Sequence, residues 1–265
     1  MTAPGDAKPL AVIAGGGNGI GASTARLMAA RGWRVAIGDL DGAAAQALAR
    51  ELGGTGFAID IGDEKSIAEF AASADALAGG AQALIVTAAV FQDNVPPDKL
   101  PVAEWERILR INLTGTYLLN REFGPRMARR RRGSIVNVAS IAALGSMPVY
   151  AYGTSKSGVV ALTQNLAGEW GRAGVRVNCV SPGSTLVPRV VERIASGRYA
   201  AHPGEFTALG RAVEPDEVAE TIEFLASSRA SAITGVNIPV DSGWHVAQTW
   251  AQHGGMRAPP PAEGT

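Results

Sequence analysis

Residues 149–160, VYAYGTSKSGVV, place one lysine near two tyrosines. Tyr152 and Lys156 are four residues apart, which on a helix makes them neighbours on one face. Tyr150 has no such partner, because Thr154 stands four residues further on. A tyrosine ordinarily titrates near about 10, and a nearby ammonium favours its phenolate. Such a pair can take the proton from an alcohol or return one to a forming alkoxide. A tyrosine–lysine pair alone is usually bland surface, so the rest of the chain has to decide.

A second constellation lies near the start. AGGGNGIGAS carries Gly15, Gly16, Gly17, Gly19 and Gly21 in the frame G-x-x-x-G-x-G. Glycines there allow a tight turn and let backbone N–H groups approach a pyrophosphate, with the next helix pointing its N-terminus at the charge. Asp39 ends the next apolar run, about 20 residues on, where a carboxylate accepts hydrogen bonds from the ribose hydroxyls of NAD and repels the 2′-phosphate of NADP. Asn18 stands where a basic residue could have served that phosphate. NAD is therefore expected over NADP. Asp41, rather than Asp39, suits the cap of the following helix. Asp60 ends a third run, IDI, within reach of an adenine.

Short apolar runs alternate with helical patterns along the chain. Strands are expected at 10–15, 34–39, 56–61, 83–90, 133–140, 175–183 and 235–243, with helical segments of ten or more residues between most of them. That order implies a parallel sheet with helices on both faces, in one domain. Only the tail GGMRAPPPAEGT is of low complexity, and it is expected to be mobile.

Lys+Arg and Asp+Glu are both 24, so no net field favours nucleic acid or anionic lipid. The basic run 128–132, ARRRR, fits the end of a helix. No apolar stretch reaches the ~18 residues of a membrane span, and the N-terminus does not read as a signal peptide. The single cysteine, Cys179, excludes an internal disulfide framework and points to a reducing, cytoplasmic setting. His202, His245 and His253 lack metal-ligand spacing, so no metal is expected.

Taken in order, these residues resemble the short-chain dehydrogenase/reductase family over about residues 10–244. The matching features are the Gly15–Gly19–Ile20–Gly21 turn, Asp60, Asn112 in INLTG, Ser140 closing GSIVNVAS, Tyr152 with Lys156, VNCVSPGST, LGRAVEPDEVA and ITGVNIPVDSG. The resemblance implies a single-domain Rossmann fold, a doubly wound seven-stranded parallel sheet, and a homotetramer. It implies a small-molecule alcohol/ketone substrate with hydride transfer to a nicotinamide cofactor. Tyr152 would be the general acid/base, and Lys156 would lower its pKa and bind the nicotinamide ribose. Ser140 would hold the substrate oxygen, and Asn112 a relay water. Gly15, Gly17, Asn18, Gly19, Ile20, Gly21, Asp39, Leu40, Asp60, Ile61, Ala88, Ala89, Pro182, Gly183 and Thr185 would line the cofactor. Phe91, Ala142 and Val149, with Val90 and Trp244, would form an apolar substrate wall. SPGST is similar to dehydrogenases of cyclic dihydrodiols.

The chain departs from that family in places. Ala14 replaces a common threonine, and TAAV (87–90) stands for NNAG, with Val90 where glycine is usual. The gap from Ser140 to Tyr152 is one residue short. A catalytically silent dinucleotide-binding or scaffold protein on the same fold is the alternative reading. Residues 186–209, with Arg189, Arg193, Arg198, Tyr199 and His202, are expected to close over the substrate, where an arginine could hold a carboxylate. Residues 245–265 extend beyond the usual end. Trp244 to His253 is expected at a subunit interface or, failing that, against the chain's own core.

Overall fold

The computed structural model describes residues 8–77, 79–198 and 201–257. Tyr199 and the last part of the tail lie outside them. Seven parallel strands form one sheet in the order β3-β2-β1-β4-β5-β6-β7. They are β1 (Leu10–Ala14), β2 (Arg34–Asp39), β3 (Thr55–Ala58), β4 (Ala83–Val86), β5 (Gly133–Val138), β6 (Val175–Pro182) and β7 (Asn237–Val240).

A strand covered on both sides must be apolar at successive positions, and these are. Leu10, Val12 and Ala14 of β1 enter one core while Ala11 and Ile13 enter the other. The first core is shared by α3 (Glu64–Asp75), α5 (Thr116–Arg129) and α6 (Tyr150–Trp170), through Phe70, Phe123 and Ala167. The second is shared by α1 (Gly19–Ala30), α2 (Gly42–Glu51) and α8 (Pro215–Ala226), through Met28, Leu48 and Ile222. This is the doubly wound sheet expected from the alternating pattern.

Local caps set where several helices start. Asn18 accepts from the Gly19 N–H, Asp41 from Ala44 and Asp63 from Lys65. Between β4 and β5 the chain forms α4 (Val102–Leu109), a π-turn (Arg110–Gly115) and α5. The extra residue of a π-turn re-aims the chain, and such turns concentrate at functional sites. The basic run at the end of α5 has a structural use, since Arg130 pairs with Asp75 at 2.8 Å and joins α5 to α3.

β3 and β4 end earlier than the apolar runs suggest. Residues 59–61 and 87–90 leave the ladder and enter loops at the C-terminal edge of the sheet. Chain crossing from β3 to β4 on the far side of β1 opens a crevice there, the usual ligand position in such sheets. The remaining helices, α7 (Pro188–Ala195) and the short α9 (Trp244–Ala247), lie beyond β6 and β7 in the chain. Among the described residues no helix is long and apolar enough to cross a membrane.

Phe123 is fully buried and meets Phe70 edge to face, ring centres 6.2 Å apart. Phe123→Ala is expected to lower stability by about 3–5 kcal/mol in urea unfolding. A loss under about 1 kcal/mol would show that this face is not close-packed.

Candidate active site

The glycine turn is held from three sides. Gly15 has φ +89°, and a Cβ there would run into the backbone of Ala88. The N–H groups of Gly15 and Gly16 donate to the Gly38 carbonyl at 2.7 and 3.1 Å. The Thr87 hydroxyl lies 3.0 Å from the Ala14 carbonyl and 2.9 Å from that of Gly15. Sequence comparison alone counts Ala14 and TAAV as two losses. In the structure Thr87, on the neighbouring strand's exit, supplies a hydroxyl brace at that turn.

Asp39 turns its carboxylate to the same turn. Its Oδ2 accepts from the Gly17 N–H at 2.8 Å, and a Cβ on Gly17 would fall 3.0 Å from that oxygen. Asp41 caps α2, as expected, by accepting from Ala44 at 3.0 Å. Asp60 is exposed and accepts from Gly62 at 2.7 Å, with Ile61 buried beside it. Leu40 is 75% exposed at the rim. This cradle fits a dinucleotide. It has a glycine turn without room for side chains, a helix N-terminus, and a carboxylate at the end of β2.

At the other end of the crevice, Pro182 closes β6, and the Gly183 N–H donates to Val240 at 2.9 Å. Buried Thr185 donates to the Gly183 carbonyl at 3.1 Å. α7 follows, and its cap residue Val187 comes against the glycine turn, 3.0 Å from where a Cβ on Gly19 would sit.

Ser140, just past β5, caps a short turn by accepting from the Ala142 N–H at 3.1 Å. Tyr152 and Lys156 occupy the first two turns of α6, both buried. Nζ of Lys156 is 5.8 Å from the Tyr152 ring centre and donates to the Val138 carbonyl at 2.7 Å. Tyr150 is the first residue of α6. It is exposed, and lines a separate hollow with Pro97, Leu100, Val102 and Trp105.

Burial pushes the Tyr152 phenol up to about 12, while a hydrogen bond with Ser140 and the charge of Arg189 act in the opposite direction. The expected lowering by Lys156 is not present in this state. Burial also takes the Lys156 ammonium down to about 8, much closer to neutral pH than an ordinary lysine.

Asn112 sits in the π-turn with no exposed surface. Its side chain pairs in both directions with the Val90 backbone. Val90 N–H donates to Oδ1 and Nδ2 donates to the Val90 carbonyl, each at 2.8 Å. Nδ2 also reaches the Ser155 hydroxyl at 3.2 Å. The amide is thus fully engaged in positioning the loop after β4. Phe91, next in that loop, stacks on Tyr152 with centres 5.0 Å apart, and the Arg189 guanidinium lies 4.0 Å over the Phe91 ring. Asp93 pairs with Arg193 of α7 at 3.2 Å. Ala142, Val149, Val90 and Met147 pack in one cluster with Tyr152.

Gln92 is the residue that sequence reasoning missed. It is buried, and its Oε1 accepts from the N–H groups of Ala151 and Tyr152 at 2.7 and 3.4 Å. A lone glutamine in an irregular loop carries no period or motif to mark it. The C-terminal extension turns back on its own chain. A Cβ on Gly145 would meet Gln248 at 3.0 Å and Trp244 at 3.4 Å, which places α9 over the turn after Ser140. Val246 and Trp250 remain exposed.

Lys156 gives a pH signature. Its native value of about 8 lies below the ordinary 10.5, so between those values the unfolded chain holds the proton more tightly. Native stability then rises with pH across that window. Lys156→Met removes the group. The stability difference between parent and variant is expected to shift in the parent's favour by on the order of 3 kcal/mol between about pH 8 and about pH 10.5. Urea unfolding at stepped pH reads this, and a difference that stays flat across the window would rule out the depressed lysine.

Comparison with known proteins agrees with this geometry. The family model described as Enoyl-(Acyl carrier protein) reductase matches residues 14–245. The D-threitol dehydrogenase of Mycolicibacterium smegmatis is 37% identical, over 89% of this chain and 93% of that one. The cis-4-hydroxycyclohexanecarboxylate dehydrogenase of Sinomonas cyclohexanicum is 38% identical, over 90% and 97%. A solved structure described as ribose-5-phosphate isomerase from Brucella melitensis 16M is 46% identical with a TM-score of 0.92, over 95% and 98%. Another, described as a short chain dehydrogenase/reductase family protein, is 35% identical with a TM-score of 0.82, over 90% and 97%. The family-model match spans the glycine turn, the tyrosine helix and the last strand, and the chain belongs to the short-chain dehydrogenase/reductase family, oxidoreductases that act on CH–OH groups with a nicotinamide dinucleotide.

Proposed function

We propose that the chain is an NAD-dependent oxidoreductase that interconverts a secondary alcohol, of cyclic or aromatic type, and its ketone. The observation that carries this reading is the meeting of Ser140, Tyr152 and Lys156 at the mouth of the crevice whose far end holds Asp39. Gly15 to Gly21, Asp39, Leu40, Asp60, Ile61, Ala88, Ala89, Pro182, Gly183 and Thr185 would hold the dinucleotide, which when bound accepts or supplies the hydride.

The chain's own residues do the rest. Ser140 orients the substrate oxygen and donates to it as charge develops. Tyr152 takes the hydroxyl proton in oxidation and returns it in reduction. Its resting value of about 12 has to fall for the first of these, and the hydrogen bond with Ser140 and the charge of Arg189 act in that direction. The Asn112 side chain is engaged with Val90, so any relay water would rest on its backbone carbonyl, which also accepts from Thr116 at 2.7 Å. Phe91, Ala142 and Val149 would exclude water from the reacting carbon.

NAD is preferred over NADP because the Asp39 carboxylate, fixed by the Gly17 N–H, would repel a 2′-phosphate. The relatives described as acting on D-threitol and on a hydroxycyclohexane carboxylate support an alcohol substrate. An isomerase activity, as in the Brucella protein's description, is redox-neutral overall and would leave the glycine turn and Asp39 without a purpose. The altered 87–90 stretch is the feature that speaks for a silent binding protein, and Thr87 braces the glycine turn from within it. A homotetramer belongs to the same reading, since Val102 of α4 and Tyr117 of α5 stay exposed and would be covered by a partner.

Tyr152→Phe is expected to reduce kcat by at least about 100-fold on a panel of cyclic and aromatic secondary alcohols, with NADH affinity retained by fluorescence. Turnover near that of the parent would overturn the assigned role. Asp39→Ala is expected to abolish the preference for NAD over NADP, and an unchanged ratio of kcat/KM would count against the cofactor assignment. Interconversion of ribose and ribulose 5-phosphates without added dinucleotide would overturn the hydride-transfer reading.

A further inference from the structure

Among the described residues, one buried side-chain nitrogen or oxygen has no hydrogen-bond partner, and it is Nε2 of Gln92. Gln92 is 3% exposed. The opposite end of the same amide is used twice, by the N–H groups of Ala151 and Tyr152. Those two bonds fix which way the amide lies, because a flipped amide would set Nε2 against two backbone donors. Helix capping therefore explains Oε1 and leaves Nε2 unexplained. A cap needs only an acceptor, which is why serine, threonine and aspartate serve as well. A buried donor without an acceptor is a standing cost to the fold, and it calls for a reason.

The position of Gln92 suggests one. Its Oε1 bonds the N–H of Tyr152 itself, and its neighbour Phe91 stacks on the Tyr152 ring. Ala142, Ala151, Val90, Met147 and Val149 form an apolar wall packed with Tyr152, and the polar groups near its ring, Ser140, Lys156 and Arg189, have other uses in the reading above. A polar group entering an apolar wall is rejected unless a partner waits for it. We propose that Nε2 of Gln92 is the donor for a second oxygen of the substrate, so that the site selects secondary alcohols bearing another hydroxyl or carbonyl close to the reacting carbon. The proposal rests on the hydride-transfer reading above and narrows its substrate class.

The donor is covered in this state. The loop that carries it is tied to α7 by the Asp93–Arg193 ion pair and the Phe91–Arg189 contact. Both are side-chain contacts, and they can part without breaking backbone structure. Entry of the substrate oxygen then replaces a missing partner rather than an existing one.

Gln92→Glu separates the two halves of the amide. It keeps the acceptor that caps α6 and replaces the donor with a second acceptor. The measurement is kcat/KM with NAD for cis-1,2-cyclohexanediol and for cyclohexanol, in the parent and in Gln92→Glu. The parent is expected to prefer the diol by about tenfold or more. Gln92→Glu is expected to lose that preference while keeping its melting temperature and its NADH affinity. The extra negative charge affects Tyr152 with either alcohol, so the ratio isolates the donor. Gln92→Met, which loses both cap and donor, should lose the preference and also melt lower. An equal diol preference in parent and Gln92→Glu, or no preference in the parent, overturns the proposal, while turnover of cyclohexanol leaves the hydride-transfer reading standing. No NADH formation from any alcohol overturns both.

Discussion

The architecture of the site depends on one reciprocal pair of hydrogen bonds, between the Asn112 side chain and the backbone of Val90. A parallel sheet ends in loops whose peptide groups have lost their ladder partners, and a buried loop cannot leave them empty. Asn112 satisfies both groups of Val90, and the π-turn is what aims it there. The same amide touches Ser155, whose hydroxyl donates to the Tyr152 carbonyl at 2.7 Å. One side chain thus links the exit of β4, the α4–α5 junction and the helix that carries Tyr152 and Lys156. Phe91, Gln92 and Asp93 take their places from that anchor, and through them α7 does too.

The placement of Tyr152, Lys156, Asp39 and Ser140 was legible in the sequence because they are spaced by regular structure. Tyr152 and Lys156 share a helix face by the 3.6-residue period, and Asp39 and Ser140 stand at the ends of strands marked by continuous apolar residues. The direction of the Tyr152 shift was not legible. It is set by how much water the folded chain removes, and burial outweighs Ser140 and Arg189 in this state. Gln92 was hidden for a different reason, since its importance comes from two backbone donors 59 and 60 residues away. The expected subunit-interface role of residues 244–253 has its counterpart in the chain's own contacts, where Trp244 and Gln248 cover the turn near Gly145.

The altered 87–90 stretch shows why motif matching and physics can disagree. What the turn at Gly15 requires is a hydroxyl or amide to satisfy strand-end peptide groups, not a threonine at a particular position. Thr87 meets the requirement from the neighbouring strand. Val90 fits for a related reason, since its backbone, not its side chain, makes the contacts with Asn112.

The buried lysine makes local water content part of its charge balance. Lys156 is held at 2% exposure although burial opposes its charge, and its ammonium donates to the Val138 carbonyl at 2.7 Å. A change that admitted water beside it would weaken the desolvation that lowers its proton affinity and return it toward the ordinary lysine range.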